Sequence, residues 1–572
     1  MRNFEIASIL GEIGEYLSLQ DEPFRPRAYR RAAMVIENLD RELKDIYAEG
    51  GVNALKEVPG IGQAIAEKVE ELLKTGGLKY YEKLKKDLPV NLPALSSIEG
   101  LGPRKIKALH KALGIKTIDD LARAAKSHKI KDLAGFSIKS EDNILKGIRF
   151  HKSQGERMSL EMAIPLASSI KEDLESITGV SKVVIAGSLR RRRETVGDLD
   201  FLVISKTPEK VMNFFVSHKN VVRVLAKGDT KASVTLRQGI DADLRVVKKE
   251  SYGAALAYFT GSKAHNIAMR KIAQSKGLKL NEYGLYMDEK SIAGETEEDI
   301  YRALGMQYVE PEMREDMGEM ALALKNSLPK LINYSDLRGD MQVQSNWTDG
   351  KYSIGEMARK AMDMGLEYIL ITDHSQNLKI ANGLDEKRLA KQGEEIDMLN
   401  EKLGNKFRIL KGVECDILKD GTLDLKDEAL LKLDVVGASV HTYFNLPKKA
   451  QTERIKKAME SSNVDIIFHP TGRRIGRRPP YEVDIEELIS FAKTTKTVME
   501  IDGFPDRLDL KDEHIRMCVK KGVKMSISSD AHSKVHMEFL DLGVAQARRG
   551  WATKADIINT QPVEKMLSSL KG

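Results

Sequence analysis

The sequence predicts a multidomain protein of α and α/β parts, and three observations carry that prediction. Residues 1–150 read as short helices separated by glycine-containing turns, with few β-branched runs. From Lys182 the pattern changes to apolar strands such as VVIAG and FLVIS, alternating with polar turns and helices. After Arg338 a strand-then-helix unit repeats to the C-terminus, the order that builds parallel α/β folds. At roughly 100–200 residues per domain, 572 residues allow several folded units. The expected division is 1–90 and 91–150 for the helical front, 151–250 and 251–320 for the mixed region, a linker at 321–336, and 337–572 for the last part.

Composition narrows the class. With 41% hydrophobic and 31% charged residues, a disordered or collagen-like chain is excluded. No run of about 18 apolar residues occurs, so no membrane span is expected. The first twenty residues mix charge with apolar positions at helical spacing, unlike a secretory signal. Only Cys415 and Cys518 are present, which rules out a disulfide framework and fits a reducing, cytoplasmic setting. The net charge of +7 is uneven: residues 1–250 carry 44 Lys/Arg against 35 Asp/Glu, leaving a slightly acidic remainder. A nucleic-acid-binding front has that profile, and ordinary solvated basic faces account for it equally well.

In the helical front, KEVPGIGQAIAEKV (56–69) and SIEGLGPRKIKALH (97–110) share one plan: an apolar residue, a Gly-x-Gly turn, then an amphipathic helix. A weaker third version is DLAGFSIKSEDNIL (132–145). Gly60 and Gly62, and Gly100 and Gly102, would let the backbone approach a DNA phosphate, with the free N–H groups of the following helix aimed at it. Such a turn grips the sugar-phosphate backbone without reading bases. These segments resemble the helix-hairpin-helix motifs of family X DNA polymerases, and FRPRAYRRAAMVIENL (24–39) resembles the start of their small N-terminal domain. The resemblance implies a deoxyribose-phosphate lyase role for Lys68, which would form a Schiff base with an abasic sugar. Ala64 stands where a helper lysine is often found, so a plain phosphate contact by Lys68 is the competing reading.

The stretch VVIAGSLRRRRETVGDLDFLVIS (183–205) holds the densest chemistry of the first half. A strand ends at Gly187-Ser188, arginines follow, and Asp198 and Asp200 open the next strand two apart, so they face the same way. Carboxylates placed side by side call for cations, and hard oxygen donors suit Mg²⁺. IDADLRVV (240–247) supplies Asp243 as a third. Three carboxylates on adjacent strands can hold two metals for phosphoryl transfer. Gly187, the Ser188 hydroxyl and the arginines complete a phosphate cradle. This block resembles the nucleotidyltransferase palm of DNA polymerase beta and its family, and YGAALAYFTGSKAHNIAMR (252–270) matches that family's nucleotide-binding signature. The resemblance implies that Ser188 and Arg191 hold the triphosphate, and that Tyr258 and Phe259 lie against the sugar. It places Asn266 at the base edge, with Gly197, Gly261 and Ser262 shaping the site. It further implies that Asp198 and Asp200 bind both metals, Mg²⁺ or Mn²⁺, and that Asp243 receives or relays the primer hydroxyl proton. Lys263 falls where DNA polymerase beta has an acidic residue.

Downstream, His374, His441, His469 and His532 fall at the ends of apolar strands, and Glu414 ends RILKGVE in the same way. Side chains at the C-terminal ends of successive parallel strands converge on one barrel mouth, and His with acidic partners there reads as a metal cluster. This part resembles the PHP (polymerase and histidinol phosphatase) domain, a distorted TIM-like (β/α) barrel. In bacterial and archaeal family X polymerases that domain implies a 3′→5′ exonuclease using Zn²⁺ or Mn²⁺. Residues at ligand positions are Asp349, His374, Glu414, His441, His469, Asp530 and His532. The family's His-x-His is replaced here by Gln342 and Gln344 in MQVQSNWTDG (341–350). A neutral amide is a poor substitute for imidazole. An active nuclease with altered metal occupancy, a weakened nuclease, and a barrel kept for binding and architecture all remain open, the weakened or inactive form being favoured.

The expectation is therefore a DNA-directed DNA polymerase of family X that fills short gaps in base excision repair. Its partners would be gapped or primer-template DNA and a dNTP, and it would act as a monomer. The alternative is a barrel-driven 3′→5′ exonuclease or phosphoesterase in which the palm only holds DNA; a scaffold without activity is the third reading.

Overall fold

The computed structural model describes residues 1–570 apart from residues 2, 21–23, 38, 40, 97, 99–100 and 155–156. Gly100, an expected DNA contact, lies outside the described residues. In the helical front a single core runs from Ile6 to Ile148. Within VPGIG, Ile61 is buried while Gly60 takes φ +91° and Gly62 caps the helix Gln63–Thr75. That helix buries Ile65, Ala66, Val69 and Leu72, the stripe its periodicity demands, and leaves Lys68 outside. Leu101, Gly102 and the helix Pro103–Leu113 repeat the arrangement, and no described atom stands where a Cβ on Gly62 or Gly102 would lie.

Five strands form the palm sheet: β1 (Val180–Ile185), β2 (Asp198–Ser205), β3 (Val221–Lys227), β4 (Lys231–Leu236) and β5 (Asp241–Val247). Their order is β1-β2-β5-β4-β3, with β2 and β5 parallel and the other pairs antiparallel. Alternation decides which face each residue takes. Leu199, Phe201 and Val203 join Ala242, Leu244 and Val246 in the core, leaving the intervening aspartates on the opposite face. Helices Tyr252–Thr260 and Lys263–Ser275, a three-stranded sheet within 279–293 and the helix Glu297–Ala303 make the next unit around a separate core.

The last part is a barrel of seven parallel strands in chain order: β6 (Gly339–Val343), β7 (Tyr368–Ile371), β8 (Arg408–Asp416), β9 (Val435–Ser439), β10 (Ile466–Ile467), β11 (Val498–Asp502) and β12 (Met525–Ser528). Val343 bridges to Ala531, whose carbonyl accepts from Gln344 N at 2.9 Å, so the first and last strands nearly close the ring. Met341, Tyr368, Leu410, Ile466, Phe468 and Val498 belong to one core cluster that spans the barrel strands. The linker is packed where it meets the barrel: Leu331 bridges to Thr553 and Ile332 is fully buried in the barrel core. Leu508 and Leu542 of the barrel pack into the palm core.

Candidate active sites in the palm and the barrel

In the palm, parallel register sets Asp198 beside Asp241 and Asp200 beside Asp243. Ser233 donates to Asp243 Oδ1, and Thr235 Oγ1 donates to Asp241 Oδ1 at 2.7 Å. Burial first, then the charges of Asp198 and Asp243, push the Asp200 carboxyl up to about 7; burial and Asp243 raise Asp198 as well. Gly187 is required by the same packing, because at φ +61° a Cβ there would stand 1.9 Å from Asp200 Oδ2. Asp198 and Asp200 line a cleft of about 590 Å³ with Ser188, Arg191, Gly197, Tyr258, Phe259, Gly261 and Asn266, among others. The buried Ser188 Oγ finds no partner among the described residues. Arg191 donates to the Thr260 carbonyl and, at 3.2 Å, to Glu315. Tyr258 and Phe259 meet edge to face at 5.1 Å, and Asn266 Nδ2 donates to the Tyr258 carbonyl at 2.7 Å. Ser262 caps the helix Lys263–Ser275 by accepting from His265 N. Crowded carboxylates in one cleft with a hydroxyl that lacks a partner among the described residues and a guanidinium fit divalent metal and a phosphate chain.

In the barrel, Glu414 is the hub. Its carboxylate lies 3.2 Å from His374 Nδ1, 3.1 Å from His441 Nε2 and 2.7 Å from His469 Nε2. Burial works against its charge, but His374 and His441 outweigh burial and hold Glu414 well below the usual carboxylate range. Burial likewise opposes the charge on His441, yet Glu414 and Asp416 push that imidazole up to about 9. His469 goes the other way, to about 3, because burial and Arg507 both disfavour its cation. At the mouth, Asp349 lies 3.7 Å from both His374 Nε2 and His532 Nε2. Two groups thus bring donor atoms close enough to hold an ion: Asp349, His374 and His532, and His374, Glu414 and His441. These donor sets fit a transition metal.

The other side of the mouth fits poorly. Gln342 and Gln344 are fully buried; neither amide atom of Gln342 has a partner among the described residues, and Gln344 Nε2 donates to Glu414 at 3.1 Å. Asp530, an expected ligand, joins neither cluster; Arg507 Nε sits 3.4 Å from it and 3.4 Å from Asp502. A guanidinium therefore faces the Asp530 carboxylate at the side of the mouth where Gln342 and Gln344 lie.

With both sites described, similarity to known proteins decides the lineage. A DNA polymerase/3′-5′ exonuclease PolX of Bacillus subtilis (strain 168) is 39% identical over 579 aligned residues, spanning 100% of both chains. The chain belongs to the bacterial family X DNA polymerases. Residues 255–315 of this family X polymerase match the family described as DNA polymerase beta thumb. Residues 1–78 match a helix-hairpin-helix domain and residues 92–149 a SAM-like helix-hairpin-helix tandem. DNA polymerase lambda of Rattus norvegicus is 24% identical over 343 residues, covering 55% of this chain and 56% of that one. The Arabidopsis thaliana DNA polymerase lambda is 25% identical over 347 residues, covering 54% and 62%. A DNA substrate and dependence on divalent metal come with the family.

Several groups in this family X polymerase escaped the sequence reading. Asp416 accepts from His441 Nδ1 at 2.9 Å, and its place two residues after Glu414 on a strand was the available signal. Glu297 binds both Arg190 and Arg314, tying the palm to the following unit, and nothing in its sequence neighbourhood marked it. Lys68 Nζ donates to the Ala64 carbonyl and stands 5.0 Å above the Tyr80 ring, near Arg25. Among the described residues, no helix is long and apolar enough to cross a membrane.

Proposed function

We propose that this family X polymerase fills short gaps in DNA by template-directed addition of a deoxynucleoside triphosphate to a primer 3′ end, with the palm cleft as its active site. The observation that carries the reading is Asp198 and Asp200 in one cleft with Ser188, whose hydroxyl has no partner among the described residues, and Asp243 in register beside Asp200. Asp198 and Asp200 would hold Mg²⁺ or Mn²⁺, which when bound neutralises the attacking and leaving oxygens. Asp243, oriented by Ser233, accepts or relays the primer hydroxyl proton. Ser188 and Arg191 hold the triphosphate, Gly187, Gly197 and Gly261 shape the cleft, and Tyr258 and Phe259 pack against the sugar, while Ser262 acts from outside the lining by capping the helix that carries Asn266. Asn266, braced on the Tyr258 carbonyl, meets the base edge. Gly60, Gly62, Gly100 and Gly102 grip duplex phosphates on either side of the gap. The protein works as a monomer in the cytoplasm, in short-gap base excision repair.

The barrel is a weakened 3′→5′ exonuclease. Asp349, His374, Glu414, His441, His469 and His532 would hold Zn²⁺ or Mn²⁺, which supplies an activated water, while Gln342, Gln344 and the Arg507-bound Asp530 cut the number of ions held. Gap filling by the wild type, Asp198→Ala and His441→Ala tests the assignment. Loss in Asp198→Ala alone is expected, and loss only in His441→Ala would reject it. Manganese-dependent primer digestion abolished by His441→Ala but not by Asp198→Ala measures the residual nuclease.

A further inference from the structure

A residue of the barrel, Arg549, donates to the backbone carbonyl of Arg191, which lines the palm cleft. We propose that Arg549 is a positioning residue of the polymerase site, holding Arg191 toward the triphosphate of the incoming nucleotide through a shared carboxylate, Glu315. The inference rests on the reading that the palm cleft takes a nucleoside triphosphate.

Arg549 ends the helix Leu540–Arg549, and its side chain is only 3% exposed. Its Nη1 donates to the Arg191 carbonyl at 2.8 Å and to Glu315 Oε1 at 3.1 Å; its Nη2 is anchored on Asp512 at 2.5 Å. Arg191 Nε meets the same Glu315 oxygen at 3.2 Å, while Arg193 approaches the other oxygen at 3.6 Å. The neighbouring Arg548 donates to Glu312 at 2.7 Å, so two consecutive arginines of the barrel grip the segment that carries Glu315.

The charge balance explains why the cleft arginine depends on the barrel. Glu315 lies among three guanidiniums, and a carboxylate so placed divides its charge among them. Burial opposes that charge, but Arg549, Arg191 and Arg193 outweigh it and keep Glu315 ionised. Without Arg549, Glu315 is left to Arg191 and Arg193 alone, and it competes with the triphosphate for the Arg191 guanidinium. The Arg191 backbone also loses the donor that fixes its carbonyl. Both effects weaken the hold on phosphate while leaving Asp198, Asp200 and Asp243 in place.

A second pair across the same interface provides the comparison. Arg473 of the barrel donates to Glu194 at 2.8 Å, three residues along the loop from Arg191, and Glu194 is not among the residues lining the cleft. Steady-state gap filling by the full chain, Arg549→Met, Arg549→Lys and Glu194→Gln reads the difference. Arg549→Met is expected to raise the dNTP KM about tenfold with kcat within about threefold, as for loss of an interaction made equally in the ground and transition states. DNA affinity should be unchanged, Arg549→Lys should recover part of the KM, and Glu194→Gln should match the wild type. If Arg549→Met does not fold, Asp512→Asn releases the anchor instead and should raise the dNTP KM about threefold, charge-assisted pairing being partly lost. An unchanged KM in the folded Arg549 variants, or in Asp512→Asn where it substitutes, or an equal rise in Glu194→Gln, would overturn the proposal. Absence of gap filling in the wild type would instead overturn the polymerase reading itself.

Discussion

Asp200→Asn should stabilise the metal-free protein at alkaline pH and do nothing for it at pH 4. Burial, followed by the charges of Asp198 and Asp243, pushes the Asp200 carboxyl up to about 7 in the folded chain. An unfolded Asp titrates near ~3.9. A folded pKa above the unfolded one means that the folded state binds the proton more tightly. Its stabilisation is therefore complete below about pH 4 and is lost as the pH rises through about 7. About three pKa units at ~1.36 kcal/mol each set a ceiling near 4 kcal/mol. Asp198 is raised in the same field, so the carboxylates titrate jointly and share the proton, which lowers the working figure to about 2 kcal/mol.

Urea unfolding of wild type and Asp200→Asn in chelator, from pH 4 to 8.5, measures the difference directly. Asp340 and Asp373 in the barrel, pushed up to about 7 and about 6 by burial, titrate in both proteins and cancel. The expected result is no difference at pH 4, the variant pulling ahead from there to about 2 kcal/mol at pH 8, and recovery of the wild type alone on adding Mg²⁺. A gap that does not change with pH, or Mg²⁺ stabilising both proteins alike, would refute the crowded-carboxylate reasoning.

Other expectations follow from single distances. Gly187→Ala forces a Cβ to 1.9 Å from Asp200 Oδ2 at φ +61°, so single-nucleotide gap filling should fall by about 100-fold while DNA binding by mobility shift holds. The double change Gln342→His with Gln344→His gives two imidazoles to a fully buried site whose Gln342 amide has no partner among the described residues. Metal analysis should show more bound Zn²⁺ or Mn²⁺ per chain, and primer digestion should rise at least tenfold if ligand number limits it. Lys68, outside the core and above the Tyr80 ring, should be trapped by borohydride on abasic DNA. No adduct would leave it a phosphate contact.

What could be read from the chain alone follows the range of the interactions involved. Asp198 and Asp200 were legible because a strand's period of two is a local rule, and Asp243 because its own strand repeats that rule. The strand-end histidines were legible for the same reason, each closing an apolar run. Nothing local to Asp530 shows Arg507 reaching it from a separate loop. Glu315 and Arg549 were invisible: 234 positions separate them, and each is an ordinary charged residue until the palm and the barrel come together. That blind spot bears on the barrel's purpose. A reading from ligands alone makes Gln342 and Gln344 the measure of the barrel, and a depleted site then looks like a domain losing its role. Leu508 and Leu542 in the palm core, with Arg548 and Arg549 on Glu312 and Glu315, show a second, structural role that needs no metal. Loss of imidazoles from the mouth then leaves that role intact, whereas loss of the interface reaches the polymerase cleft through Arg191.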